Sequence, residues 1–93
     1  MLTLTASARD ILRKVPYQPA LGPEAGLRIS LSRSKEGFAT ELAPGPRADD
    51  EVVDRDGARV FLGPVAARRF AAHRLDARHD DLGRIEFVVR PAS

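Results

Sequence analysis

The residues able to do chemistry are few, and one type is missing outright: none of the 93 is cysteine. Without thiolates there is no disulfide framework, no thiol nucleophile and no sulfur ligand for zinc or iron. His73 and His79 are the only histidines, and as a metal pair they need a third ligand such as Asp80 or Asp81. Their spacing matches no standard zinc pattern. A helix-terminal His73 near the negative end of a dipole, and a surface His79, account for both. Asp49, Asp50, Glu51, Asp54 and Asp56 form an acidic run where a hard cation could sit. The run lacks calcium-loop spacing, and strand alternation divides it between two faces. It is expected to be a solvated edge that discourages edge-to-edge association. No serine lies in a nucleophile elbow, and no glycine-rich phosphate loop is present. The chain is therefore expected not to be an enzyme. No catalytic, cofactor-binding or metal-ligating residue is assigned.

The remaining chemistry is charge. Thirteen of the fifteen basic residues are arginine, and the net charge is +2. A nucleic-acid groove needs a basic stripe with aromatic platforms. Here acids interleave with the arginines, and four Phe and one Tyr are scattered, so no nucleic-acid partner is expected. Arg68, Arg69, Arg74 and Arg78 form a local run of one sign, a candidate docking surface for an acidic protein partner. No apolar stretch approaches the ~20 residues that span a bilayer. Met1 to Leu12 carries Arg9 and Asp10 where a signal peptide requires an apolar run. A cytoplasmic protein without a membrane partner is expected.

The elements that position these residues can be read from punctuation and period. Met1 to Leu4 suits a short strand, and Thr5 is a helix N-cap. Ala8, Ile11, Leu12 and Val15 follow at helical spacing, and Pro16 ends the helix. Tyr17 to Gly26, with two prolines and two glycines, is a loop. Leu27, Ile29 and Leu31 alternate with Arg28, Ser30 and Ser32, a half-buried strand with the arginine outward. Phe38, Thr40 and Leu42 form its hairpin partner across a polar turn. Asp56-Gly57 predicts a tight hairpin between strands at 51–55 and 58–62. Gly63-Pro64 opens a second helix, with Phe70 and Ala66 or Ala67 facing inward. Strands at 75–79 and 85–90 complete the chain, with Pro91 as the stop. The fold class is α+β: a single domain over 1–93, small and β-sandwich-like, with mainly antiparallel strands and two helices.

This order carries a resemblance. Leu2-Thr3-Leu4-Thr5 before a helix, Gly26-Leu27-Arg28-Ile29, the hairpin from Asp50-Glu51-Val52-Val53 to Asp56-Gly57-Ala58-Arg59-Val60-Phe61-Leu62, and the final Phe87-Val88-Val89-Arg90-Pro91 resemble the HesB/IscA family of A-type iron–sulfur carriers. The resemblance covers nearly the whole chain and implies a role related to iron–sulfur cluster assembly. It departs where the family's ligands belong. The family's first cysteine precedes a glycine-aromatic pair. Here Gly37-Phe38 keeps that pair, and Lys35 stands about where the cysteine would be. The family's Cys-Gly-Cys tail has no counterpart before Ala92-Ser93. Iron in such clusters needs soft thiolates, which a lysine ammonium does not supply. The expected function is that of a degenerate, cluster-free carrier acting as a binding or accessory protein. Its candidate contacts are Arg33, Lys35 and Gly37 of the vacated loop, with Arg68, Arg69, Arg74 and Arg78. Two alternatives are a metal or iron–sulfur protein using His73, His79 or carboxylates, and a structural domain that only forms a homodimer.

Overall fold

The computed structural model describes residues 1–34 and 37–92. After β1 (Thr3–Leu4), the Thr5 hydroxyl accepts from the Ala8 amide at 3.2 Å and starts α1 (Ala6–Leu12). The helical spacing predicts continuation to Val15. Instead α1 stops at Leu12, and a 3-10 turn spans Val15–Tyr17 with Pro16 inside it. Proline has no amide to bond four residues back and disfavours helical geometry at the residue before it. The chain therefore leaves the α-helix a turn early, while Val15 stays buried.

β2 (Gly26–Leu31) and β3 (Phe38–Ala43) form an antiparallel hairpin, registered from Gly26↔Ala43 to Leu31↔Phe38. β4 (Glu51–Arg55) and β5 (Ala58–Leu62) form a second hairpin. Its turn places Asp56 at φ 55° and Gly57 at φ 91°. This is the pair of positive values that a two-residue turn of matching twist requires. β5 also pairs with β2, in parallel, giving the sheet order β3-β2-β5-β4. After α2 (Pro64–Arg69), β6 (His73–His79) and β7 (Ile85–Pro91) pair antiparallel. β1 adds to β6 in parallel, making a second sheet of order β1-β6-β7. The three hairpin pairs, β2-β3, β4-β5 and β6-β7, are antiparallel, as expected. The two parallel pairs join strands separated by intervening elements, where the long connection permits that sense. Two helices on mixed, mostly antiparallel sheets make a small α+β fold.

Both sheets and both helices contribute to one apolar cluster, including Leu12, Leu27, Ile29, Val60, Phe70 and Leu75. Ala66 and Phe70 face inward from α2 and its C-cap, as the helical period predicts. Alternation fails along β2. Leu31, expected inside, is 45% exposed, and Arg28, expected outside, is 5% exposed. β2 lies inside its sheet with α2 against it, so both of its faces are covered near the middle and its end projects into solvent. β3 and β7 are sheet-terminal strands; β7 has no buried residue and β3 only Ala43. Among the described residues no helix is long and apolar enough to cross a membrane.

Candidate functional site

The β2–β3 turn is where the resemblance places the first cluster ligand. Lys35, at that position, lies outside the described residues, as does Glu36. Around them the turn is closed by backbone. The Gly37 amide donates to the Ser34 carbonyl at 3.0 Å, and the Ser32 amide donates to the Gly37 carbonyl at 3.2 Å. Gly37 sits at φ 82°, which an L side chain rarely adopts. The Ser34 hydroxyl donates to the Phe38 carbonyl at 3.2 Å. Arg33 and Ser34 are exposed. The donor set of the described turn is hydroxyl, carbonyl and guanidinium, which does not fit iron in a sulfide cluster.

Phe38, the residue after Gly37, meets Phe70 edge-on with ring centroids 6.3 Å apart. The Arg69 guanidinium lies over the Phe70 ring at 5.5 Å, and the His73 ring meets it edge-on at 5.4 Å. One aromatic contact thus ties the β2–β3 turn to the end of α2 and the start of β6. Arg68 and Arg69 are exposed in the last turn of α2, where cations favour the dipole. Among the described residues neither they nor Arg33 form an ion pair.

The other two members of the arginine run belong elsewhere. Leu75 and Ala77 are buried, so Arg74, Asp76 and Arg78 occupy the opposite face of β6. Arg78 pairs with Glu86 at 3.1 Å, and Arg74 donates to the Ala92 carbonyl at 3.2 Å. A run continuous in sequence therefore splits into a helix-end pair and a strand face. The latter also holds Asp76, so it is not a surface of one sign.

The histidines open and close β6, His73 opposite Pro91 and His79 opposite Ile85. At the rise of a strand they stand about 20 Å apart, too far to share one ion. His73 Nδ1 is buried without a hydrogen-bond partner, beside the Phe70 ring. Among the described residues, no three His, Asp or Glu side chains come together to hold a metal.

Sequence reading missed the one buried ion pair among the described residues. The Arg28 guanidinium grips the Asp50 carboxylate with two hydrogen bonds, Nη1 to Oδ1 at 3.2 Å and Nη2 to Oδ2. Their side chains are only 6% and 3% exposed. The Arg47 amide adds a donor to Asp50 at 2.7 Å. Burial pushes the Asp50 carboxyl up, but the hydrogen bonds from Arg28 and Arg47 and their charges together hold it below the usual carboxylate range. Asp50 is thus not part of a solvated edge, unlike exposed Asp49, Asp54 and Asp56. The sequence carried no signal for it, because Leu27-Arg28-Ile29 is the alternation of any half-buried strand and only the sheet order makes β2 internal.

The fold has counterparts among solved structures. SufA of Escherichia coli, described as involved in biosynthesis of iron–sulfur clusters, superposes with a TM-score of 0.78 at 23% identity, over 97% of this chain and 79% of that one. The chain has the SufA/IscA fold. The structure of IscA with its 2Fe–2S cluster gives 0.66 at 22% identity, over 98% of this chain and 82% of that one. A solution structure of a protein from Aquifex aeolicus gives 0.71 at 22%, over 96% and 89%. No protein-family model and no curated protein matches the sequence. The fold that the HesB/IscA resemblance implies is thus shown by structural similarity over 96–98% of this chain. The chain carries this fold without a cysteine.

Proposed function

We propose that the chain is a HesB/IscA-like protein of iron–sulfur cluster assembly that has lost cluster binding and acts as a non-catalytic binding or accessory protein. The observation that carries this reading is a SufA/IscA fold built from a sequence with no cysteine. Support comes from the β2–β3 turn, where the resemblance puts the first ligand and where Gly37-Phe38 stands beside guanidinium and hydroxyl groups. A partner with acidic groups is the occupant this turn suits. Arg33, in the turn joined to α2 by the Phe38–Phe70 contact, and the Arg68–Arg69 pair provide the cations.

The decisive experiment is anaerobic incubation of the purified protein with ferrous iron and sulfide, followed by desalting. The expected result is no retained charge-transfer absorption. A stoichiometric retained cluster overturns the proposal. For the partner, the R68E/R69E variant is expected to lose a protein that co-purifies with the wild type, while R74E retains it. Equal retention by both variants removes the α2 end from the contact surface.

A further inference from the structure

The face of the β6/β7 hairpin opposite Leu75 and Ala77 carries Arg74, Asp76 and Arg78 from β6, with their register partners Arg90, Val88 and Glu86 from β7. Arg78 and Glu86 pair across it. Arg74 and Arg90 also stand directly opposite each other. Side chains so placed have Cβ atoms about 4.5–5.5 Å apart, and like charges there destabilise the sheet. Among the described residues neither arginine forms an ion pair. Arg74 donates to the Ala92 carbonyl at 3.2 Å, which carries no charge to offset it.

Arg74 and Arg90 line a hollow of about 120 Å³ together with Thr5, Asp76 and Pro91. Pockets for drug-sized ligands hold about 300–1,000 Å³. This one has room for a single small polar group, not for a nucleotide or a peptide. Guanidinium groups favour the oxygens of carboxylates and phosphates, which they grip with paired hydrogen bonds. Asp76 decides among such anions. Its Oδ1 accepts from the Thr5 hydroxyl at 2.7 Å and from the Ala77 amide at 2.8 Å, while Oδ2 has no donor among the described residues. Those two bonds, with the charges of Arg90 and Arg78, hold its carboxyl below the usual range against the burial that raises it. Asp76 is therefore an acceptor at neutral pH and cannot donate. A fully deprotonated anion is repelled by this carboxylate, whereas an anion that keeps an O–H can donate to it. Two arginines and one aspartate are neutralised by one further negative charge.

We infer that the hollow between Arg74, Arg90 and Asp76 binds a phosphate group that keeps one O–H, either inorganic phosphate or a phosphate monoester. The guanidinium groups take its unprotonated oxygens, and its hydroxyl donates to Asp76. Carboxylates, sulfate and phosphate diesters have no such hydroxyl at neutral pH, so the aspartate that weakens anion binding in general makes this site selective. The bound group also offsets the repulsion between the two opposed arginines. This inference rests on the hollow alone and holds whether or not the chain is an accessory protein or retains a cluster.

The test titrates the full chain, isotope-labelled, with sodium phosphate at about pH 6, close to the second ionisation of a phosphate monoester, where a protonated form is abundant. The Nε–H signals of Arg74 and Arg90 and the amides of 74–77 are expected to shift saturably. Sodium sulfate and dimethyl phosphate are expected to bind at least roughly tenfold more weakly. Glycerol phosphate separates the two sources. Binding equal to that of inorganic phosphate assigns the site to an ester whose tail lies in solvent, and failure to bind assigns it to free phosphate. Arg74→Gln and Arg90→Gln alter exposed side chains, so circular dichroism is expected to show both folded. Each is expected to weaken phosphate binding roughly tenfold. Asp76→Asn is expected to bind sulfate as well as phosphate, with the amides of α1 reporting whether the helix is intact. Three outcomes overturn the inference: no saturable shift at Arg74 and Arg90, wild-type binding of sulfate or dimethyl phosphate equal to that of phosphate, or unchanged phosphate binding by Arg90→Gln. The R74E variant, expected to keep a co-purifying protein, is expected to lose phosphate, so this proposal and the accessory reading fail separately.

Discussion

Arg28 and Asp50 show how much one pair of side chains can decide. Two charges removed from water are stable only while each faces the other, and here three hydrogen bonds satisfy the carboxylate. Asp50→Ala is expected to cost about 3–5 kcal/mol in chemical denaturation, because it strands a buried guanidinium. Arg28→Met with Asp50→Leu is expected to return most of that loss. The same pair sets an acid limit. The Asp50 carboxyl is held below its ordinary value in the folded chain. Its stabilisation is therefore present above the unfolded value, about 3.9, and disappears as pH falls through the lower folded one. The wild type should lose stability over that acid window. The Arg28→Met, Asp50→Leu variant should lose less, and equal slopes for the two proteins would refute the assignment. Gly26 is a second single-residue constraint. A Cβ there would lie 2.6 Å from the Arg59 carbonyl oxygen and 2.9 Å from the Phe61 ring. Gly26→Ala is expected to destabilise by about 1–3 kcal/mol through overpacking, measured by thermal unfolding.

Among the elements, Thr5 couples two. Its hydroxyl caps α1 through the Ala8 amide and donates to Asp76 of β6 at 2.7 Å. That hydrogen bond and the Ala77 amide hold the Asp76 carboxyl below its usual range, against the burial that raises it. Thr5→Val keeps the shape and removes the oxygen. It is expected to cost about 1–2 kcal/mol and to move the Asp76 titration upward by NMR, with Thr5→Ser restoring both. An unmoved Asp76 titration would separate the helix from the strand. The elements themselves were largely legible. The Thr5 cap, the Asp56-Gly57 turn and the Gly63-Pro64 start are local chemistry, and all three stand where local rules place them. The end of α1 was less so, because Ile11, Leu12 and Val15 keep helical spacing across a break set by Pro16.

For the whole molecule, the shared apolar cluster of both sheets and both helices is the source of cohesion. A chain of this length buries a modest share of its surface, and it has no disulfide to supplement the core. On the proposed cluster-free reading, the fold is indifferent to metal removal. The thermal midpoint is expected to be the same with and without a strong chelator, whereas a metal bound only to the folded state would raise it. A chelator-induced drop in scanning calorimetry would show that a metal contributes to the fold. The candidate contact surface belongs to this scale too. The split of the arginine run was illegible because strand alternation and helix ends, not sequence distance, decide which cations share a surface.

The sequence alone determined that no thiolate chemistry is available, which elements form, and the order that resembles the HesB/IscA architecture. These follow from composition, local capping and short-range period. Tertiary structure decided the rest. It enclosed Arg28 with Asp50, set His73 and His79 at opposite ends of one strand, and brought Phe38 against Phe70. It also left β3 and β7 at the ends of their sheets. Each depends on pairing between strands far apart in sequence, and local periodicity carries no information about which strand becomes internal and which stays at an edge.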